Sequence, residues 1–82
     1  MLTIEHRKDF MKTIAKIKDK VFKEKIKKQI EKIIKNSIIG KPMRYSREGT
    51  RELYVSPYRV AYAYIHSENK IIFLEIYHKD EH

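Results

Sequence analysis

The chain has no cysteine and no tryptophan, only two glycines and two prolines, and no long hydrophobic run. The missing cysteine excludes a disulfide framework, a thiol nucleophile and thiolate metal sites, and it fits a reducing compartment. The longest apolar runs, such as IIFL at 71–74, fall far below the roughly 20 residues a membrane span needs, and the opening MLTIEHRKDF has no signal-peptide core. The expectation is a single domain, 1–82, in the cytoplasm. A chain of this size buries only about 60% of its unfolded surface, so its core must be economical.

What is abundant is positive charge. Nineteen Lys and Arg against 11 Asp and Glu give a formal net charge of +8, which suits a polyanionic partner. Residues 1–36 carry 12 basic and five acidic side chains, whereas 37–82 carry seven and six. Eleven of the first 12 are lysines, while four of the five arginines lie between Gly40 and Ile65 with both glycines, both prolines and five of the six tyrosines. A guanidinium is a planar fork that grips phosphate bidentately, and an ammonium is a hydrated point charge. The lysines therefore read as field and solubility, and Arg44, Arg47, Arg51 and Arg59 as contact candidates.

Leu2 to His6 alternates weakly and reads as a short strand. From Arg7 to Lys18, Phe10, Ile14 and Ile17 form one helical stripe, and Phe22, Ile26, Ile30, Ile33 and Ile34 form another that runs to Asn36. Asp19 punctuates the two, which form either a helical pair or one long bent helix. After Gly40 and Pro42 the period becomes two. Leu53 and Val55 oppose Glu52, Tyr54 and Ser56; Ser56-Pro57 signals a turn; Val60, Tyr62 and Tyr64 oppose Arg59, Ala61, Ala63 and Ile65. HSENK at 66–70 reads as a hairpin loop. In the last strand, 71–78, Ile72, Leu74 and Ile76 share one face and Phe73, Glu75, Tyr77 and Lys79 the other. The fold class expected is α+β, an N-terminal strand and two helices on one face of a mostly antiparallel, twisted sheet of about four to five strands.

The other sheet face then gathers Arg59, Tyr77 and Lys79 beside the small Ala61 and Ala63. Guanidinium groups there would grip phosphates while phenol rings stack on bases. Half-exposed strands of structural proteins also carry such residues, so the pattern alone leaves both readings open. No metal-ligating spacing, glycine-rich phosphate loop or Ser/His/Asp set is present, so neither a metal nor another cofactor is expected. A membrane-surface role for the lysine-rich second helix is disfavoured, since its aliphatic stripe is needed for the core.

The order GKPMRYSREGTRELYVSPYRVAYAYI, followed by a strand and the ending IYHKDEH, resembles the RelE/ParE superfamily of toxin–antitoxin toxins. That family has a Gly-Lys/Arg-Pro-Leu segment, an Arg-Glu-Leu strand, a Tyr-Arg-hydrophobic-hydrophobic-Tyr strand and a final His-Arg/Lys step. The resemblance implies a toxin silenced by a RelB-like antitoxin. In the RelE branch the toxin cuts messenger RNA in the ribosomal acceptor site; in the ParE branch it poisons DNA gyrase. It further implies that Arg59 matches the RelE catalytic arginine, that Arg51 and Arg44 fall where that branch carries basic residues, and that Lys79 stands where a second arginine is usual. Many RelE toxins have a tyrosine shortly afterwards, which residues 80–82 do not supply, so the proton donor is left unassigned.

Cleavage of RNA needs the 2′-OH deprotonated, charge on the phosphorane stabilised and the 5′-oxygen protonated. Arg59 suits the charge role, and Lys79 can assist it as a cation. His78 is a candidate because imidazole is the side chain type suited to proton transfer at physiological pH, but it alternates onto the face of Leu74 and Ile76, which suits a structural role equally. The catalytic candidates are Arg59, Lys79, Arg51 and His78; the RNA-binding candidates are Arg44, Arg47, Lys41 and Tyr77. The function expected is ribosome-dependent messenger cleavage, with gyrase inhibition or a catalytically weakened antitoxin-binding module as alternatives. The partners expected are the antitoxin, the ribosome and messenger RNA.

Overall fold

The computed structural model describes residues 1–43, 49–78 and 80. Two helices cover one face of a five-stranded sheet with strand order β1-β5-β4-β3-β2. The elements are β1 (Thr3–His6), α1 (Lys8–Lys16), α2 (Lys20–Lys35), β2 (Lys41–Pro42), β3 (Thr50–Val55), β4 (Tyr58–Ile65) and β5 (Lys70–His78). β1 pairs with β5 in parallel, and the other pairs are antiparallel. Among the described residues, no helix is long and apolar enough to cross a membrane.

The helices follow their apolar spacing. Phe10 from α1 and Ile26 and Ile33 from α2 are buried against Val60, Tyr62, Ile71, Phe73 and Ile76 of the sheet. Fully burying an aliphatic or phenylalanine side chain contributes about 1.5–3 kcal/mol, so these few residues dominate the core. Asp19 separates the helices. Its backbone is extended, and its Oδ1 accepts from the Val21 and Phe22 N–H groups at 2.9 and 3.2 Å, which caps α2. There are thus two helices rather than one bent one.

On β4, Val60 and Tyr62 face the helices as the alternation predicts, and both are fully buried. β5 departs from its expected phase. Tyr62 pairs with Phe73 but Ala61 pairs with Glu75, so the register skips Leu74. Such a bulge reverses the alternation along one strand. Ile71 and Phe73 therefore join Ile76 in the core. Phe73 does not share the outer face with Glu75 and Tyr77; its ring stacks on Phe10 with centroids 5.2 Å apart.

The joint between α2 and β2 is built around Tyr62. Its hydroxyl accepts from the Gly40 N–H at 2.9 Å and donates to the Ser37 carbonyl at 2.9 Å. Burial pushes the phenol's pKa up, against the opposing influences of the Gly40 bond and the Arg51 charge. Backbone and ring approach so closely that a Cβ on Gly40 would lie 2.8 Å from the tyrosine ring.

Candidate active site

Residues paired directly across antiparallel strands share a face, and the register lays out two rows on the face away from the helices. One runs Lys41, Glu52, Ala61, Glu75, and the next runs Tyr54, Arg59, Tyr77. Ala61, which has little side chain, leaves a gap in the first row. Through it the Glu52 carboxylate reaches diagonally into the second row, where Oε1 accepts from Arg59 Nη1 at 2.5 Å and Oε2 accepts from the Tyr77 hydroxyl at 2.6 Å. The Arg59 guanidinium carbon lies 5.8 Å from the centre of the Tyr54 ring.

The cluster is open on one side. The Arg59 side chain is 40% exposed and that of Glu52 is 21% exposed, and both line an open depression of about 560 Å³ with Lys41, Tyr54 and Ile39. Arg59 Nε is buried and has no hydrogen-bond partner, so the guanidinium is held from the Nη1 side. The Tyr77 pKa is pushed up to about 12, first by burial and then by its bond to the Glu52 carboxylate, with the Glu52 and Glu75 charges adding and the Arg59 charge opposing. At neutral pH the phenol therefore keeps its proton. A partly exposed cation and carboxylate stand in direct contact with a buried, proton-bearing phenol.

Of the sequence-predicted residues, Arg59 and Tyr77 are brought together, and Lys41 lies in the adjoining row. Arg51 is not brought to them. It pairs with Tyr62 on the helix side of the sheet, and its Nη1 donates to the Ile38 and Gly40 carbonyls at 3.1 and 2.7 Å. There it braces the joint between α2 and β2. His78 is also on the helix side: it pairs with Tyr58, their rings meet edge-on at 5.4 Å, and its Nδ1 accepts from the Asp80 N–H at 3.2 Å. Arg44, Arg47 and Lys79 lie outside the described residues.

Sequence reasoning missed Glu52. Its period-two position opposite Leu53 and Val55 already puts it on the Arg59 face, but only the antiparallel register shows that its carboxylate spans Arg59 and Tyr77.

A family profile described as the ParE toxin of type II toxin–antitoxin systems, parDE, matches residues 4–82. The chain belongs to the RelE/ParE toxin superfamily. This toxin superimposes on RelE in the intact Escherichia coli RelBE toxin–antitoxin complex with a TM-score of 0.81 and 16% identity, covering 95% of this chain and 96% of that one. It matches the archaeal RelE–RelB complex from Pyrococcus horikoshii with a TM-score of 0.79, 11% identity and coverage of 99% and 98%. The Escherichia coli DinJ–YafQ complex gives 0.78, 16%, and 99% and 97%. At these identities the likeness is one of fold. A search of curated proteins finds no significant match.

Proposed function

We propose that this toxin is a ribosome-dependent endoribonuclease that cuts messenger RNA in the ribosomal acceptor site. The observation that carries the reading is the cluster of Arg59, Glu52 and Tyr77 on the open sheet face. Glu52 takes the proton of a 2′-OH, and the resulting oxygen attacks the adjacent phosphorus. Arg59 offsets the negative charge that builds on the phosphorane, as a preorganised cation does. Tyr77, still protonated, gives its proton to the departing 5′-oxygen, leaving a cyclic 2′,3′-phosphate and a 5′-hydroxyl. The substrate phosphate competes with Glu52 for the exposed part of the guanidinium. Lys41, in the neighbouring row, adds a point charge for the RNA backbone, and we assign Arg44, Arg47 and Lys79 the same task.

The reading includes a protein partner. RelE and YafQ relatives of the same fold occur in complexes with RelB and DinJ antitoxins, and we infer a cognate RelB-like antitoxin for this chain. The lysines of α1 and α2 then supply salt-dependent contacts to ribosomal RNA. The proposed setting is the cytoplasm, where ribosomes are.

A second reading, gyrase inhibition by binding alone, is favoured by two observations: the matching profile is that of ParE toxins, and Glu52 already neutralises Arg59. The experiment that separates them is cleavage of messenger on programmed ribosomes by wild-type protein and Arg59→Ala. Loss of one preorganised partner for the transition-state charge costs about 100- to 1,000-fold in rate, and that loss is expected. Equal cleavage by both proteins would refute the assignment, and gyrase-dependent DNA breaks with intact messenger would establish the second reading.

A further inference from the structure

A base can stack only on a ring it can reach, and Tyr77 does not offer one. It is 8% exposed, and its hydroxyl is bound to Glu52. Tyr54, opposite Arg59 in the same row, is 50% exposed. Among the described residues it is the only tyrosine or phenylalanine that is exposed. The half-buried Phe22, Tyr58 and Tyr64 are each packed against another ring. Tyr54 is held at both ends: its hydroxyl donates to Ser56 Oγ at 3.2 Å, and the Arg59 guanidinium carbon lies over its ring at 5.8 Å, inside the range of about 6 Å over which a cation and a ring attract. Tyr54 also lines the depression of about 560 Å³ with Ile39, Lys41 and Arg59, a size within the range of about 300–1,000 Å³ typical of ligand sites. Because β2 runs antiparallel to β3 with Lys41 opposite Glu52, the residues just before Lys41 lie toward Tyr54, among them Ile39, which is 40% exposed. The depression thus combines apolar surface from Tyr54 and Ile39 with cations from Lys41 and Arg59.

We propose that this depression holds one nucleotide of a single-stranded RNA, its base stacked on Tyr54 beside Ile39 and its phosphate on the exposed part of the Arg59 guanidinium, with Lys41 as a second cation. That the nucleotide belongs to RNA rests on the ribonuclease reading; the stacking role of Tyr54 rests on the geometry. A base and its phosphate are an apolar plate and an anion joined by a sugar, which is the pairing that Tyr54 and Arg59 present side by side. In a duplex both faces of a base are covered, so the strand held here is unpaired. Every base has a π-face, and stacking is accordingly tolerant of sequence, with preference set by stacking strength. A purine covers more of the Tyr54 ring than a pyrimidine and is the favoured occupant. Tyr54 is in this account a substrate-positioning residue that fixes which phosphate meets Arg59.

The test uses the full chain and 2′-O-methyl trinucleotides, which lack the attacking hydroxyl and so are not cut, with adenine, uracil or no base at the centre, read by NMR titration. The adenine ligand is expected to bind, to shift the amides of Ile39, Lys41 and Tyr54, and to have its central base protons moved upfield by the tyrosine ring current. The abasic ligand should bind about fivefold or more weakly, as loss of one base stack costs, with uracil between the two. Tyr54→Leu should bring the adenine ligand down to the abasic affinity and abolish the upfield shift, while Tyr54→Phe, which keeps the ring, stays within about twofold of wild type; thermal unfolding verifies that both variants are folded. Equal affinity for the adenine and abasic ligands, or unchanged adenine binding by Tyr54→Leu, would overturn the site. Tighter binding of free adenosine 5′-monophosphate than of the trinucleotide would overturn RNA as its occupant. Cleavage on programmed ribosomes separates this proposal from the reading it extends. A Tyr54-dependent stack with intact messenger upholds the site and refutes the ribonuclease; cleavage by Tyr54→Leu with kcat and KM both unchanged upholds the ribonuclease and refutes the site.

Discussion

At 2.5 Å from Arg59 and 2.6 Å from Tyr77, the Glu52 carboxylate sets the charge of the site and holds the Tyr77 proton in place. An unfolded tyrosine titrates near ~10, while Tyr77 is pushed up to about 12. The folded protein therefore keeps a proton that the unfolded chain has lost across that interval. The stabilising contribution is complete below about pH 10 and is lost as pH rises toward about 12. Denaturant midpoints of wild type should accordingly fall more steeply over this window than those of Tyr77→Phe; a difference between the two proteins that is independent of pH would contradict the assignment. Arg51 makes the opposite case. The repeated basic residues of 40–65 suggest a site, but its guanidinium is committed to two backbone carbonyls. Arg51→Ala should cost stability, about 1–3 kcal/mol for carbonyls left without their donor, and should spare the cleavage rate of the folded fraction. A rate loss as large as that of Arg59→Ala, without loss of stability, would return Arg51 to the chemistry. Neither Glu52's reach nor Arg51's commitment was legible from residue type, because both depend on which strand lies alongside.

The elements themselves were largely legible. The spacing of Phe10, Ile14 and Ile17, and of Phe22 through Ile34, locates both helices, and Asp19 marks the break because its short carboxylate serves the first free N–H groups of α2 better than a helical position would. Asp19→Ala removes that cap and should lower stability by about 0.5–2 kcal/mol in urea titrations, with the α2 signal in circular dichroism melting first. Retention of full stability would mean that packing alone sets the start of α2. β4 likewise follows its alternation. β5 does not, since strict alternation carries no sign of the skipped residue Leu74, and one such skip sends Phe73 to the core. The segment β2, only two residues long, falls below what periodicity can show. Its place depends on pairing with β3, which puts Lys41 beside Glu52.

At the scale of the whole molecule the sheet divides two tasks. One face carries Arg59 and Glu52 in an open depression, with Tyr77 buried behind them, and the other buries the core under two lysine-rich helices whose junction leaves a cationic, apolar-floored cavity. The net charge of +8 gives long-range attraction to polyanions that weakens as salt rises. It does not distinguish a ribosome from a DNA–gyrase complex. That distinction rests on the sheet face, where the proposed catalysis requires a phosphate to meet the exposed part of the Arg59 guanidinium beside Glu52. The most direct test is to map, by primer extension, the ends produced when purified toxin is added to messenger RNA with and without ribosomes. Cuts confined to the acceptor-site codon, present only with ribosomes and bearing 5′-hydroxyl ends, are the predicted result; intact messenger on programmed ribosomes would contradict it.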